Sequence, residues 1–145
     1  MSKFKYKFEG IQKVKIAFEK KAQKELSLIE LEISKRKEKI KIYIDDKKKQ
    51  KNEVLNKKKL KASELIFADK YEKVIDRKIE KLREEIIYLE KKHNQKLIEL
   101  AQKTKESRMF EKLKEKHIVD FRKVQMKEEL KEIDDVAAKK FMTKS

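Results

Sequence analysis

The stretch Ile75-Asp76-Arg77-Lys78-Ile79-Glu80-Lys81-Leu82-Arg83-Glu84-Glu85-Ile86-Ile87-Tyr88-Leu89-Glu90-Lys91-Lys92-His93 decides the fold. Its apolar residues Ile75, Ile79, Leu82, Ile86 and Leu89 recur at alternating spacings of four and three, and His93, Leu100 and Thr104 continue the same line. That is the heptad stripe of a coiled coil, narrower than the apolar face of a helix in a globular core. The N-terminal half carries the same pattern through Leu26, Ile29, Ile33, Ile40, Tyr43 and Val54, with Arg36, Lys47 and Gln50 at polar stations on the line. So narrow a stripe buries little area per residue and stabilises a helix only when another helix lies along it.

Composition supports this by subtraction. The chain has 145 residues with one Gly, no Pro and no Cys. Sandwiches, barrels and βα units need many tight turns, and these need Gly and Pro. The single Gly10 provides no phosphate-cradling loop. The lack of Cys removes thiol nucleophiles, disulfides and thiolate metal sites. His93 and His117 are the only imidazoles and are too far apart for a helical ligand pair. No nucleophile, base and oxyanion donors can be named together, so the expectation is a protein that is not an enzyme and needs no cofactor or metal. The longest apolar run is Leu65-Ile66-Phe67-Ala68, which fits neither a transmembrane helix nor a signal-peptide core and suggests a cytoplasmic chain.

Two arrangements satisfy the stripe: a parallel dimer of one continuous helix, or a chain folded back on itself. The fold-back is favoured, because Asn56-Lys57-Lys58-Lys59-Leu60-Lys61-Ala62-Ser63 loses the seam. Ser63-Glu64 then reads as an N-cap with an acid in the first turn, and Asp69 to Glu72 has capping-box spacing as a second possible start. The expectation is an all-α, long antiparallel two-helix coiled-coil hairpin forming a single domain. Helix 1 covers about 8–57, the turn about 58–63 and the longer helix 2 about 63–141. A turn here falls to Lys and Asn, at some conformational cost. Facing residue numbers then add to roughly 120. This places Val54 opposite Leu65 or Ile66, Ile40 opposite Ile79 and Leu82, and Ile33 opposite Ile86. Farther from the turn it places Phe18 opposite Ala101 and Ile11 opposite Met109 or Phe110. Helix 2 would overhang from Leu113 to Phe141 by about 40 Å. The stripe there, through Phe121, Val124, Leu130, Ile133, Val136, Ala137 and Phe141, has no intramolecular partner and marks an interaction surface.

The chain is strongly basic, with 43 Lys+Arg against 27 Asp+Glu and a formal net charge of +16. Lys dominates, which suits a diffuse point-charge surface more than bidentate phosphate forks. The clusters at Lys47-Lys48-Lys49 and Lys57-Lys58-Lys59 read first as solvated faces and second as attraction for nucleic acid or anionic lipid. The opening Lys3-Phe4-Lys5-Tyr6-Lys7-Phe8 has two readings as well. Its aromatics either cover the end of the seam, which is favoured, or stack single-stranded bases. His93 reads as a packing residue ahead of a pH sensor. Asp134 and Asp135, near Glu128, Glu129 and Glu132, point to different sides of a helix and make a poor chelate.

The C-terminal part carries a family resemblance. Glu111-Lys112-Leu113-Lys114-Glu115-Lys116, then Phe121, then Glu128-Glu129, then Asp134-Asp135-x-Ala137-x-x-Lys140-Phe141 resembles the closing signature of the FliJ family of flagellar type III export proteins. Phe4, Phe8-Glu9, Val14, Ala22 and Leu26 resemble its aromatic start and first heptads. The chain departs from the family in its Lys-rich turn, where Gly is frequent, and in Lys140, where Arg is common.

The resemblance implies a non-enzymatic hairpin similar to the central stalk of rotary ATPases. Such a stalk inserts its helix termini into the hexameric ring of the flagellar export ATPase and promotes ring assembly and activity. It also contacts the export gate protein at the inner membrane, as a peripheral component, and escorts export chaperones. Carried onto this chain, ring contact would involve Ile11, Val14, Phe121, Val124, Ile133 and Phe141. Gate contact would involve Arg36, Ile40, Tyr43, Lys47, Tyr71 and Ile75. The alternatives are a stalk subunit of a rotary ATPase or injectisome, and a basic nucleic-acid-binding coiled coil. The leading reading includes no specific nucleic-acid partner.

Overall fold

A computed structural model of the protein describes residues 3–144. These form two helices and no strand: α1, Glu9–Leu55, and the longer α2, Ala62–Lys144. The fold class is the all-α antiparallel helical hairpin read from the heptads. The chain divides into two compact units, Lys21–Leu100 and Met1–Lys20 with Ala101–Ser145. Each helix contributes to both.

In the unit Lys21–Leu100, α1 descends to Leu55, residues 56–61 make the connection, and α2 returns antiparallel. The connection lies about two residues before the expected 58–63. It contains no glycine, and no described residue adopts a positive φ. The left-handed conformer that would penalise Lys or Asn is therefore avoided. Helix α2 starts at Ala62, ahead of Ser63, and the Glu64 and Leu65 amides donate to the Lys61 carbonyl at 3.0 and 3.3 Å. Ser63 thus sits inside the first turn, and Lys61 occupies the boundary position. Glu64 places the favourable negative charge near the helix N-terminus.

The seam of this unit follows the predicted line. Ala22, Leu26, Ile75, Ile79 and Ile86 are buried, and Ile29, Ile33, Ile40, Tyr43, Leu82, Leu89 and His93 are half-buried along it. Register is fixed by cross-helix pairs. Lys47 reaches Asp76 at 2.7 Å and Glu72 at 3.3 Å, Arg36 reaches Glu85 at 2.9 Å, and Lys96 reaches Glu25 at 2.7 Å. His93 Nε2 sits 2.9 Å from Glu30, so it is a packing residue with a polar partner. All these pairs add to roughly 120, the value an antiparallel turn near residue 60 requires. Near the turn Val54 shares one cleft with Leu65 and Ala68 and a second with Ala68, and Leu65 and Ile66 keep much of their surface exposed. The reason is phase: Ala68, Glu72 and Ile75 continue the seam back toward the turn, and Ile66 falls outside it.

The other unit is built differently. Its seam runs through Gln12, Lys15, Ile16 and Glu19 on α1 and Thr104, Glu106, Ser107, Phe110, Leu113 and Ile118 on α2, all half-buried. Lys15 pairs with Glu106 at 3.0 Å, and the Thr104 hydroxyl donates to Glu19 at 3.2 Å. Ile11, Val14 and Phe18 lie one residue off this line and are exposed, as is Met109. The expected pairings of Ile11 with Met109 or Phe110 and of Phe18 with Ala101 are therefore replaced. The Lys103 ammonium covers Phe18, 5.4 Å from the ring centroid.

Candidate partner-binding surfaces

The N-terminal aromatics set where the exposed stretch of α2 begins. Residues 3–8 are not helical. Tyr6 is 7% exposed, and its hydroxyl donates to the Phe110 carbonyl at 2.9 Å. Its ring meets His117 edge-on at 5.7 Å, Phe8 lies 6.4 Å from Phe110, and Phe4 meets Phe121 edge-on at 5.5 Å. The alternating sequence thus covers the end of the seam with its aromatics. It also corrects the expected overhang, which begins beyond Phe121 and not at Leu113. Non-helical chain can advance up to about 3.3 Å per residue against about 1.5 Å for helix, so four residues can reach along about nine of α2.

Beyond Gln125 every residue from 126 to 143 is exposed. Met126, Leu130, Ile133 and Ala137 keep the four-three spacing on this stretch, with Val136 and Phe141 beside them. Phe141 is 80% exposed. Glu129, Glu132, Ile133, Val136, Ala137 and Lys140 line a shallow cleft along the helix. The Thr143 hydroxyl closes the helix by donating to the Lys139 and Lys140 carbonyls, at 3.1 and 3.0 Å. Of the residues assigned to ring contact, Val124, Ile133 and Phe141 are exposed here, and Phe121 is half-buried against Phe4. Ile11 and Val14, with Phe18, form a second exposed apolar line on α1.

The residues assigned to gate contact all fall in the unit Lys21–Leu100, on or beside its seam. Ile75 is only 3% exposed and Ile40 is half-buried. Arg36 bridges Glu32, at 2.8 Å, and Glu85. The guanidinium holds Glu32 below the usual carboxylate range, and the carboxylates in turn raise Arg36. Asp76 and then Glu72 hold Lys47 above the ordinary lysine value. The Tyr71 hydroxyl donates to Asp46, which raises its pKa. The Lys78 ammonium lies 5.8 Å from the Tyr43 ring centroid. This arrangement neutralises its own charges and locks register.

The more accessible apolar side chains of the unit lie elsewhere: Leu28, Leu31 and Ile42 on α1, Leu55, Leu65, Ile66 and Phe67 about the turn, and Ile87, Tyr88 and Ile98 farther along α2. Apart from Leu65, which continues the four-three line from Ile75 through Glu72 and Ala68, each falls off the heptad line, so the signal for them was in the sequence. Among the described residues no three acidic or imidazole side chains gather as a metal site, and no helix is long and apolar enough to cross a membrane.

Comparison with known proteins adds one finding. A family model described as flagellar FliJ protein matches residues 4–145. No curated protein and no solved structure matches the chain. The family match spans both helices and includes the aromatic start and the exposed C-terminal stripe. The chain belongs to the flagellar FliJ protein family.

Proposed function

We propose that the chain acts as a stalk-like activator of the flagellar export ATPase, engaging the hexameric ring through the C-terminal stretch of α2. Membership of the family makes it a non-catalytic component of flagellar type III protein export. The finer reading rests mainly on one observation: an amphipathic helix from 126 to 143 with no residue buried. Isolated helical segments of that length are marginal in water, and apolar side chains on one face favour a partner. Ile133 and Phe141 would make the first contact, and Val124, nine residues before Ile133 and so half a turn around the helix, would meet the ring from the other side. Ile11 and Val14 offer a second line, and Phe121 braces the base of the stretch through Phe4. Such a ligand biases the ring among its states by binding one of them more tightly.

A patch around Arg36, Ile40, Tyr43, Lys47 and Tyr71 would meet the export gate protein, with Ile75 supporting it from beneath. Escort of export chaperones and peripheral association with the inner-membrane apparatus in the cytoplasm complete the proposal.

The test mixes the full chain with the flagellar export ATPase and measures ATP hydrolysis and ring assembly at low and high salt. Stimulation that persists at high salt is expected, because apolar insertion is little screened. A chain truncated after Gln125 should lose it. Full stimulation by the truncated chain would exclude the C-terminal stretch as the coupling element.

A further inference from the structure

We propose that the turn end of the hairpin in the unit Lys21–Leu100 is a docking surface for an anionic lipid bilayer. Between residues 47 and 61 the chain has eight lysines and one glutamate. Lys47 and Lys57 are held in ion pairs with Asp76 and Glu64. Lys48, Lys49, Lys51, Lys58, Lys59 and Lys61 make no ion pair among the described residues. Large apolar side chains project among them: Leu55 is 72% exposed and Phe67 67%, and Leu60, Leu65 and Ile66 are exposed as well. Phe67 stacks on Tyr71 with centroids 6.4 Å apart, which fixes its position.

The packing explains why these side chains are not satisfied internally. No residue between Leu26 and Ile75 is buried. Val54 and Ala68 meet with an open cleft on either side. Lysine clusters next to exposed apolar side chains combine the two terms that hold a peripheral protein to a bilayer. These are attraction to anionic headgroups and shallow insertion at the acyl boundary. Lysine, a flexible point charge, suits a fluid layer of headgroups better than a fixed phosphate geometry. A nucleic-acid duplex would take up the charge but gives Leu55, Leu60, Leu65 and Ile66 no apolar medium. The inference stands independently of ATPase engagement.

The experiment is vesicle flotation of the full chain, with phosphatidylcholine alone and with phosphatidylcholine containing about 30% phosphatidylglycerol. At about 0.1 M salt, binding to the anionic vesicles should exceed binding to the neutral ones by at least about tenfold, and it should fall steeply at about 0.5 M. The triple variant Lys58→Glu, Lys59→Glu, Lys61→Glu should lose about tenfold or more. The double variant Leu60→Ser, Phe67→Ser should weaken binding several-fold while keeping its salt dependence. A control triple variant, Lys20→Glu, Lys21→Glu, Lys24→Glu, should retain most of the binding. Circular dichroism of each variant confirms that the helices persist.

Equal binding to neutral vesicles, equal loss in the control variant, or unchanged binding of the Leu60/Phe67 variant would overturn the proposal. So would no vesicle binding combined with lysine-dependent binding of duplex DNA, which would reassign the patch to nucleic acid.

Discussion

Tyr6 shows how much one residue sets. It is the only buried residue described in its unit, and its hydroxyl ties a non-helical segment to the α2 backbone. Tyr6→Phe keeps the ring and removes the hydrogen bond, so it should destabilise the unit by about 1 kcal/mol. Tyr6→Ala also empties the space between Phe8 and His117 and should cost about 3 kcal/mol. Hydrogen exchange over residues 3–20 and 101–121 reads both, and equal effects would show that the hydroxyl carries nothing.

The alternating aromatics were legible as a cover for the seam. That the backbone is non-helical there, and so reaches Phe121, was not. Local sequence set the alternation, but tertiary contact selected the conformation. Charged residues were legible only in part. Glu25 is held below the usual carboxylate range by Lys96, and Glu106 by Lys15. A lowered folded-state pKa contributes stability above the ordinary carboxylate value, and that contribution is lost as pH falls through the folded value. Thermal stability should therefore drop as pH falls below about 4.5. Glu25→Gln with Glu106→Gln should flatten the drop, and an unchanged pH profile would show these pairs to be irrelevant to acid unfolding.

At the scale of an element, the heptad line distinguishes neighbours that composition cannot. Ile86 is buried and Ile87 is exposed, with the same side chain on the same stretch of α2. Ile86→Ala should cost about 2–3 kcal/mol from lost burial and the space left behind. Ile87→Ala should stay within about 0.5 kcal/mol. Urea unfolding of the two variants measures the contrast, and similar midpoints would mean that the seam is misplaced. The same line was legible for Arg36, Lys47 and Gln50, because spacing alone put them on it. It misled at Ile11, Val14 and Phe18. Apolar character suggested a seam there, yet in that unit the seam positions fall on Gln12, Lys15, Ile16 and Glu19. Phase is inherited from the strongly apolar heptads farther along α1, and a helix cannot shift it by one residue without breaking its own hydrogen bonds. The exposed apolar line that results is a candidate contact surface because the helix phase leaves it unpaired.

Taken over the whole molecule, the two units differ in how they are held. The unit Lys21–Leu100 buries Ala22, Leu26, Ile75, Ile79 and Ile86, whereas the other unit buries Tyr6 and otherwise relies on aromatic edges, half-buried Ile16, Leu113 and Ile118, and charged or hydroxyl side chains. Apolar burial provides most coiled-coil stability, whereas partly exposed ion pairs add little. Opening should therefore require less free energy in the second unit. Hydrogen exchange followed by mass spectrometry should show the slowest amides within residues 75–93. Exchange should be faster over 101–121 and fastest over 126–143, where no side chain is buried. Adding the export ATPase should slow the last segment selectively, since a partner covering that face raises its opening free energy by mass action. Protection that instead rose first over residues 28–42 would move the ATPase contact to the exposed Leu28, Leu31 and Ile42. Uniform exchange along both helices in the free chain would show that the mixed seam holds as firmly as the apolar one.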